Sequence, residues 1–174
     1  MKHHAYTLPE IIIVVLVTSI ISLALAVSFS NAKKQAEFKQ DQADIVNIIQ
    51  EARTLSLANI IVEGSVNDFA TEYYLLEFTT DGVELTAHAT NGFGYDVSSD
   101  VSSVSLNSDL GIGLNTTQKV YYVPPYGEVC FAYSSGCDYT SDTDTQKELV
   151  LERDGSNQES TITISIYSGY PEVD

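Results

Sequence analysis

Positive charge is scarce in this chain of 174 residues, where 8 Lys and Arg face 24 Asp and Glu for a net charge of -16. From Ser65 to Asp174 only Lys119, Lys147 and Arg153 oppose 18 acids, a net -15. Nucleic-acid binding rests on cations that neutralise phosphates, so direct nucleic-acid binding is not expected of such a head, and its charge favours solubility instead. Histidine is nearly absent: His88 is the only one beyond residue 4. Cysteine is limited to Cys130 and Cys137. Zinc sites need about four such ligands, so no structural metal is expected. Nothing in the sequence sets a nucleophile or a metal beside His88, and serines without a base stay unactivated, so no enzyme activity is expected. No internal repeat is present.

Glycine and proline are missing from Glu10 to Glu63, and charge is missing from Ile11 to Val27, which reads IIIVVLVTSIISLALAV. That run nearly meets the roughly 20 apolar residues a bilayer-spanning helix needs. Its polar members, Thr18, Ser19 and Ser22, can bond back to the preceding turn and do not spoil the span. Beyond it, Ile45, Ile48, Ile49, Ala52, Leu55 and Leu57 recur at mostly helical spacing. One helix of about fifty residues, near 75 Å long, is expected, membrane-embedded first and amphipathic later. Charge alone leaves the topology open, with Lys2 on one side and Lys33, Lys34 and Lys39 on the other. The acidic head and the cysteines favour the outside. Cys130 and Cys137 are close enough for a tight hairpin to bring them within bonding reach. A disulfide suits an oxidising compartment, and two buried free thiols are the alternative.

Thr7-Leu8-Pro9-Glu10 forms an S/T-x-x-E capping box with proline in the first turn, where its missing N-H is harmless. Local capping leaves one thing unexplained. Glu10 abuts seven aliphatics, Ile11 to Val17, and a carboxylate at membrane depth is costly unless a cation pairs with it. The segment Ala5-Tyr6-Thr7-Leu8-Pro9-Glu10, followed by the aliphatic run, resembles the type IV prepilin signature of pilins and type II secretion pseudopilins. In that signature a short basic leader ends in a small residue, an aromatic begins the mature chain, and a Glu stands at its fifth place. The resemblance implies a leader of residues 1-5 that a membrane prepilin peptidase removes between Ala5 and Tyr6. It also implies N-methylation of Tyr6, and Glu10 as an assembly residue pairing with the Tyr6 amine of a neighbouring subunit. Two positions depart from the pattern: Ala5 stands where Gly is usual, and Pro9 replaces the common aliphatic.

After Gly64 the pattern changes to short, partly alternating runs: Tyr73-Thr79, Val83-His88, Val101-Leu106, Lys119-Val123, Glu128-Tyr133, Lys147-Leu151 and Thr161-Tyr167. Turn signals such as Asp81-Gly82, Tyr126-Gly127 and Asp154-Gly155 separate several of them. The stretches Ala89-Asp100 and Ser134-Thr145 read as loops. The expected class is therefore α+β, a long N-terminal helix packed on a mainly antiparallel β-sheet head. Its divisions are residues 6-28 as the transmembrane or filament-core helix, 29-63 as its amphipathic continuation, and 64-174 as an extracytoplasmic β-rich head. Glu51 to Ala58, Tyr122 to Val129 and Thr161 to Val173 are similar to the GspH/FimT group of minor pilins and pseudopilins. Some members of that group are linked to DNA uptake through basic residues in the head, which this head lacks.

Asp138, Asp142 and Asp144 offer hard oxygen ligands for calcium, but the spacing lacks the Gly and terminal Glu of an EF-hand, and a solvated loop is the plainer reading. Tyr73, Tyr121, Tyr133, Tyr139, Tyr167 and Tyr170 suit either an adhesive surface or ordinary packing. The resemblance implies a structural subunit of a type IV pilus or secretion-like filament. It would be a single-pass protein of the bacterial cytoplasmic membrane with its head outside, then part of an extracellular or periplasmic filament. Its partners would be other pilin subunits, prepilin peptidase, membrane lipid and an inner-membrane assembly platform. Two other readings remain: an anchored extracellular binding protein that never polymerises, and a secreted calcium-dependent protein whose mature chain begins beyond Ala26.

Overall fold

The computed structural model describes residues 8-58, 70-90, 94-106, 110-112, 118-132, 136-137, 145-153 and 159-173. Among the described residues a single helix, α1 (Leu8–Ala58), precedes the strands, as the absence of Gly and Pro anticipates. The chain divides into two compact units, one ending at Lys39 and one beginning at Gln40.

In the first unit every described residue from Leu8 to Ala36 is exposed, so the apolar run forms a helix with hydrophobic side chains exposed all round. This helix is long and apolar enough to cross a membrane. Its hydroxyls are satisfied locally: Thr18 and Ser19 donate to the Val15 carbonyl at 3.0 and 2.7 Å, and Ser22 donates to Thr18 at 2.8 Å.

In the second unit the rest of α1 buries one stripe, Asp41, Ile45, Ile48, Ile49, Ala52 and Ser56, at steps of three and four residues that keep it on one helical face. Leu57, expected on that stripe, is exposed, because it falls one residue past Ser56 and turns away. Residues 29-36, assigned to the amphipathic half, are exposed throughout, and residues 59-63 lie outside the described residues.

Among the described residues nine strands follow, all antiparallel as expected, arranged in two sheets. The first runs β3 (Asp96–Ser105), β2 (Gly82–Thr90), β1 (Tyr73–Thr79), β5 (Gln118–Val123) and β6 (Glu128–Cys130). The second runs β4 (Leu110–Ile112), β7 (Gln146–Arg153), β8 (Glu159–Ser165) and β9 (Pro171–Val173). Alternation determines the inner face. Tyr74, Leu76 and Phe78 of β1 are buried beside Val83, Leu85 and Ala87 of β2 and Val120 and Tyr122 of β5. The second sheet contributes Leu149, Leu151, Ile162 and Ile164. With Ile45, Ile48, Ile49 and Ala52 these residues form the core of the head.

Three sequence assignments need correction. The expected loop Ala89-Asp100 instead ends β2 and begins β3, with Ala89 paired to Val97 and Thr90 to Asp96. The serine-rich alternation of β3 hides a strand because it lies at a sheet edge and half faces water. Strand β8 stops at Ser165 rather than Tyr167, because the Gly169 amide donates to the Ser165 carbonyl at 2.8 Å and closes a turn. Strand β6 ends at Cys130, where the chain enters a disulfide loop.

Candidate functional site

The candidate assembly segment is the start of α1. Pro9 lies in its first turn, where a fixed φ and a missing N-H suit a helix beginning. Glu10 is the acid of the first turn, a position at which the helix dipole favours negative charge. Ile11, Val14 and Val15 beside it are more than half exposed, so the carboxylate borders a surface that water solvates poorly. Such a carboxylate can accept a cation carried by an adjoining apolar helix, and desolvation strengthens the attraction. Ala5 and Tyr6, the residues assigned to cleavage and methylation, lie outside the described residues, as does Thr7 of the capping box.

In the head, Cys130 and Cys137 are joined as a disulfide with their Cα atoms 5.5 Å apart, which decides between the bonded and free-thiol alternatives. Asp138, Asp142 and Asp144 lie outside the described residues. Among the described residues no three His, Cys, Asp or Glu side chains converge as metal ligands.

His88 corrects the sequence reading, which set no nucleophile beside it. Its Nε2 lies 3.0 Å from the Thr86 hydroxyl and its Nδ1 3.2 Å from both carboxylate oxygens of Asp96. Tyr73, its cross-strand partner, stacks on the ring at 4.6 Å between centroids, and Tyr121 meets Tyr73 edge-on at 5.6 Å. The order carboxylate, imidazole, hydroxyl is that of a relay. Here both ring nitrogens are engaged and Tyr73 covers a ring face, so the cluster acts as a clasp of β3 onto β2. The signal in the sequence was the spacing of Thr86 and His88, which puts both on one strand face; the contribution of Asp96 needed the pairing of β2 with β3.

No family model, characterised protein or solved structure matches this chain.

A second arrangement, unforeseen in the sequence, ties the C-terminal turn to the helix. The fully buried Tyr122 donates its phenol to the Gly169 carbonyl at 3.1 Å, and the Arg53 guanidinium lies over the Tyr170 ring at 3.6 Å. Gly169 takes φ +63, and a Cβ there would come within 2.7 Å of Val129 and 3.3 Å of Arg53, so only glycine fits. Burial pushes the Tyr122 phenol well above its ordinary value, with Arg53 opposing the shift; burial also raises Tyr74, against a hydrogen bond with Thr71. Of the tyrosines considered for an adhesive surface, Tyr133 and Tyr139 lie outside the described residues; among the others Tyr167 is the most exposed and Tyr170 carries Arg53.

Proposed function

We propose that the chain is a filament subunit of the type IV pilin and pseudopilin class, with a structural role and no catalytic one. The observation that carries this reading is the uninterrupted helix α1, whose residues Leu8 to Ala36 are all exposed while its later turns are built into the head. An apolar helix exposed on every side needs a lipid or protein surround, and both are consistent with one subunit that waits in a membrane and then packs in a filament core. Glu10, at the head of that helix, supplies the charge that would set axial register against the Tyr6 amine of a neighbour. Prepilin peptidase would cut between Ala5 and Tyr6 and free that amine, and methylation of Tyr6 would leave its charge in place. The disulfide suits an oxidising compartment, so the head would face away from the cytoplasm of a bacterial cell. Partners on this reading are other subunits, the peptidase, membrane lipid and an inner-membrane assembly platform. The sequence similarity to GspH/FimT proteins supports a minor pilin or pseudopilin.

The test is co-expression with a prepilin peptidase, followed by mass and amino-terminal sequencing of the membrane-extracted product, for the parent and for Glu10→Ala. A terminus at Tyr6 one methyl group heavier, with assembly lost in Glu10→Ala, is expected. A terminus remaining at Met1 favours the anchored binding protein, and one beyond Ala26 favours a secreted one; either result overturns the proposal.

A further inference from the structure

Strand β3 is the outermost strand of the five-stranded sheet, bonded to β2 along one side and to no other strand among the described residues. Its last residues have a groove on each face. One groove, of about 390 Å³, lies between Ser102–Ser105 and the helix residues Asp44, Asn47 and Glu51. The other, of about 320 Å³, lies between Ser103–Ser105 and the hairpin residues Thr79, Asp81 and Glu84. The register explains the two faces: Ser103 stands opposite the exposed Glu84, and Val104 opposite the buried Val83.

A sheet edge presents unpaired N-H and C=O groups to any extended chain that reaches it. A strand added there sends alternate side chains to opposite faces. One set would enter the helix-side groove toward Asp44 and Glu51, the other the hairpin groove toward Asp81 and Glu84. No Lys or Arg lines either groove. A second copy of β3 carries Asp96 and Asp100 and no Lys or Arg, so it would bring further acids and no cation to the acid-walled grooves, which disfavours it. The head offers no basic strand of its own either, since Lys119, Lys147 and Arg153 are dispersed.

We propose that the β3 edge is a docking site for an extended segment of another protein that carries Lys or Arg on both faces of the strand it forms. Main-chain bonds to β3 supply the affinity, and the two acid-walled grooves supply the selectivity. The site belongs to the head alone and stands whether or not the chain polymerises.

The experiment uses the full chain in detergent micelles and a fluorescein-labelled peptide of repeating lysine-lysine-threonine-threonine, which places lysine on both strand faces. Binding is read by anisotropy at physiological salt. Saturable binding is expected, weakened about tenfold when Asp44→Asn, Glu51→Gln, Asp81→Asn and Glu84→Gln are combined. A control combining Glu148→Gln, Glu152→Gln, Glu159→Gln and Glu172→Gln, all exposed on the second sheet, is expected to bind as the parent does. A peptide N-methylated at alternate backbone amides is expected to bind weakly, and the parent peptide to slow amide hydrogen exchange along Ser102–Ser105. Absence of binding overturns the proposal. So does an equal loss in both combined variants, or full binding by the N-methylated peptide, since either outcome reduces the effect to general attraction by an acidic head. Near-UV circular dichroism checks that each variant keeps its fold.

Discussion

Replacing Tyr122 with phenylalanine removes one oxygen from the centre of the head and leaves the ring where it is. That oxygen belongs to a side chain with no exposed surface and donates to the Gly169 carbonyl at 3.1 Å. Losing it strips a buried carbonyl of its donor, which destabilises by about 1–2 kcal/mol at neutral pH. The pH dependence separates this cause from a packing defect. Burial holds the folded phenol protonated far above the ordinary value of 10.0, whereas the unfolded chain titrates near it. Below that value Tyr122 contributes its full stability. Above it the unfolded state binds fewer protons than the folded one, so stability falls as pH rises, by about 1.4 kcal/mol per pH unit for one such group. The parent therefore loses at about pH 11 most of what Tyr122→Phe lacks already, and the gap between them narrows by about 1.4 kcal/mol from its value at about pH 8. Tyr74 is shifted in the same direction and is common to both proteins, so it cancels from the difference. The assay is urea unfolding of the full chain in detergent, followed by near-UV circular dichroism and compared at constant m-value. A gap that stays the same at both pH values refutes the argument for a buried, neutral phenol, and no gap at pH 8 refutes the hydrogen bond.

Four further substitutions probe other parts of the head. Ile49→Ala, at a fully buried position on α1, is expected to lower unfolding free energy by about 3–4 kcal/mol. Leu57→Ala, nearly half exposed, is expected to lower it by under about 1 kcal/mol, and equal effects in urea titrations would contradict the assigned helix face. Gly169→Ala places a methyl against Val129 and Arg53 in a backbone of φ +63 and should lose roughly 1–3 kcal/mol; a neutral result would mean that the turn is free to move. Cys130→Ser opens the loop closed to Cys137, seven residues on, and should lose about 2–3 kcal/mol. The same decrease should follow on reduction of the parent, read as a lower thermal midpoint, and no decrease would show that the loop is held by other contacts.

Much of the architecture was legible because it depends on neighbours along the chain. Hydropathy without Gly, Pro or charge specifies an apolar helix, and period-two runs mark strands; β1 was read from end to end, and β2, β5 and β7 to within two residues at each end. The short strands β4 and β9 were missed, since three residues carry too little pattern, and β3 was half missed because an edge strand is patterned for water on one side. In the candidate site, Glu10 and the cysteine pair were visible as local features. The clasp around His88 was not, since Asp96 reaches it only after β3 pairs with β2.

Composition and periodicity act over a few residues, and they suffice to specify a long helix with an apolar first part, a β-rich acidic head, and two cysteines within bonding reach. Packing of the whole chain is what divides the strands into two sheets, makes Tyr122 rather than an exposed tyrosine the anchor of the C-terminal turn at Gly169, and leaves β3 last in its sheet among the described residues, beside two grooves with acidic walls. Those outcomes join residues far apart in the chain, and which distant surfaces meet is settled by packing the whole core at once, a competition that no local pattern records.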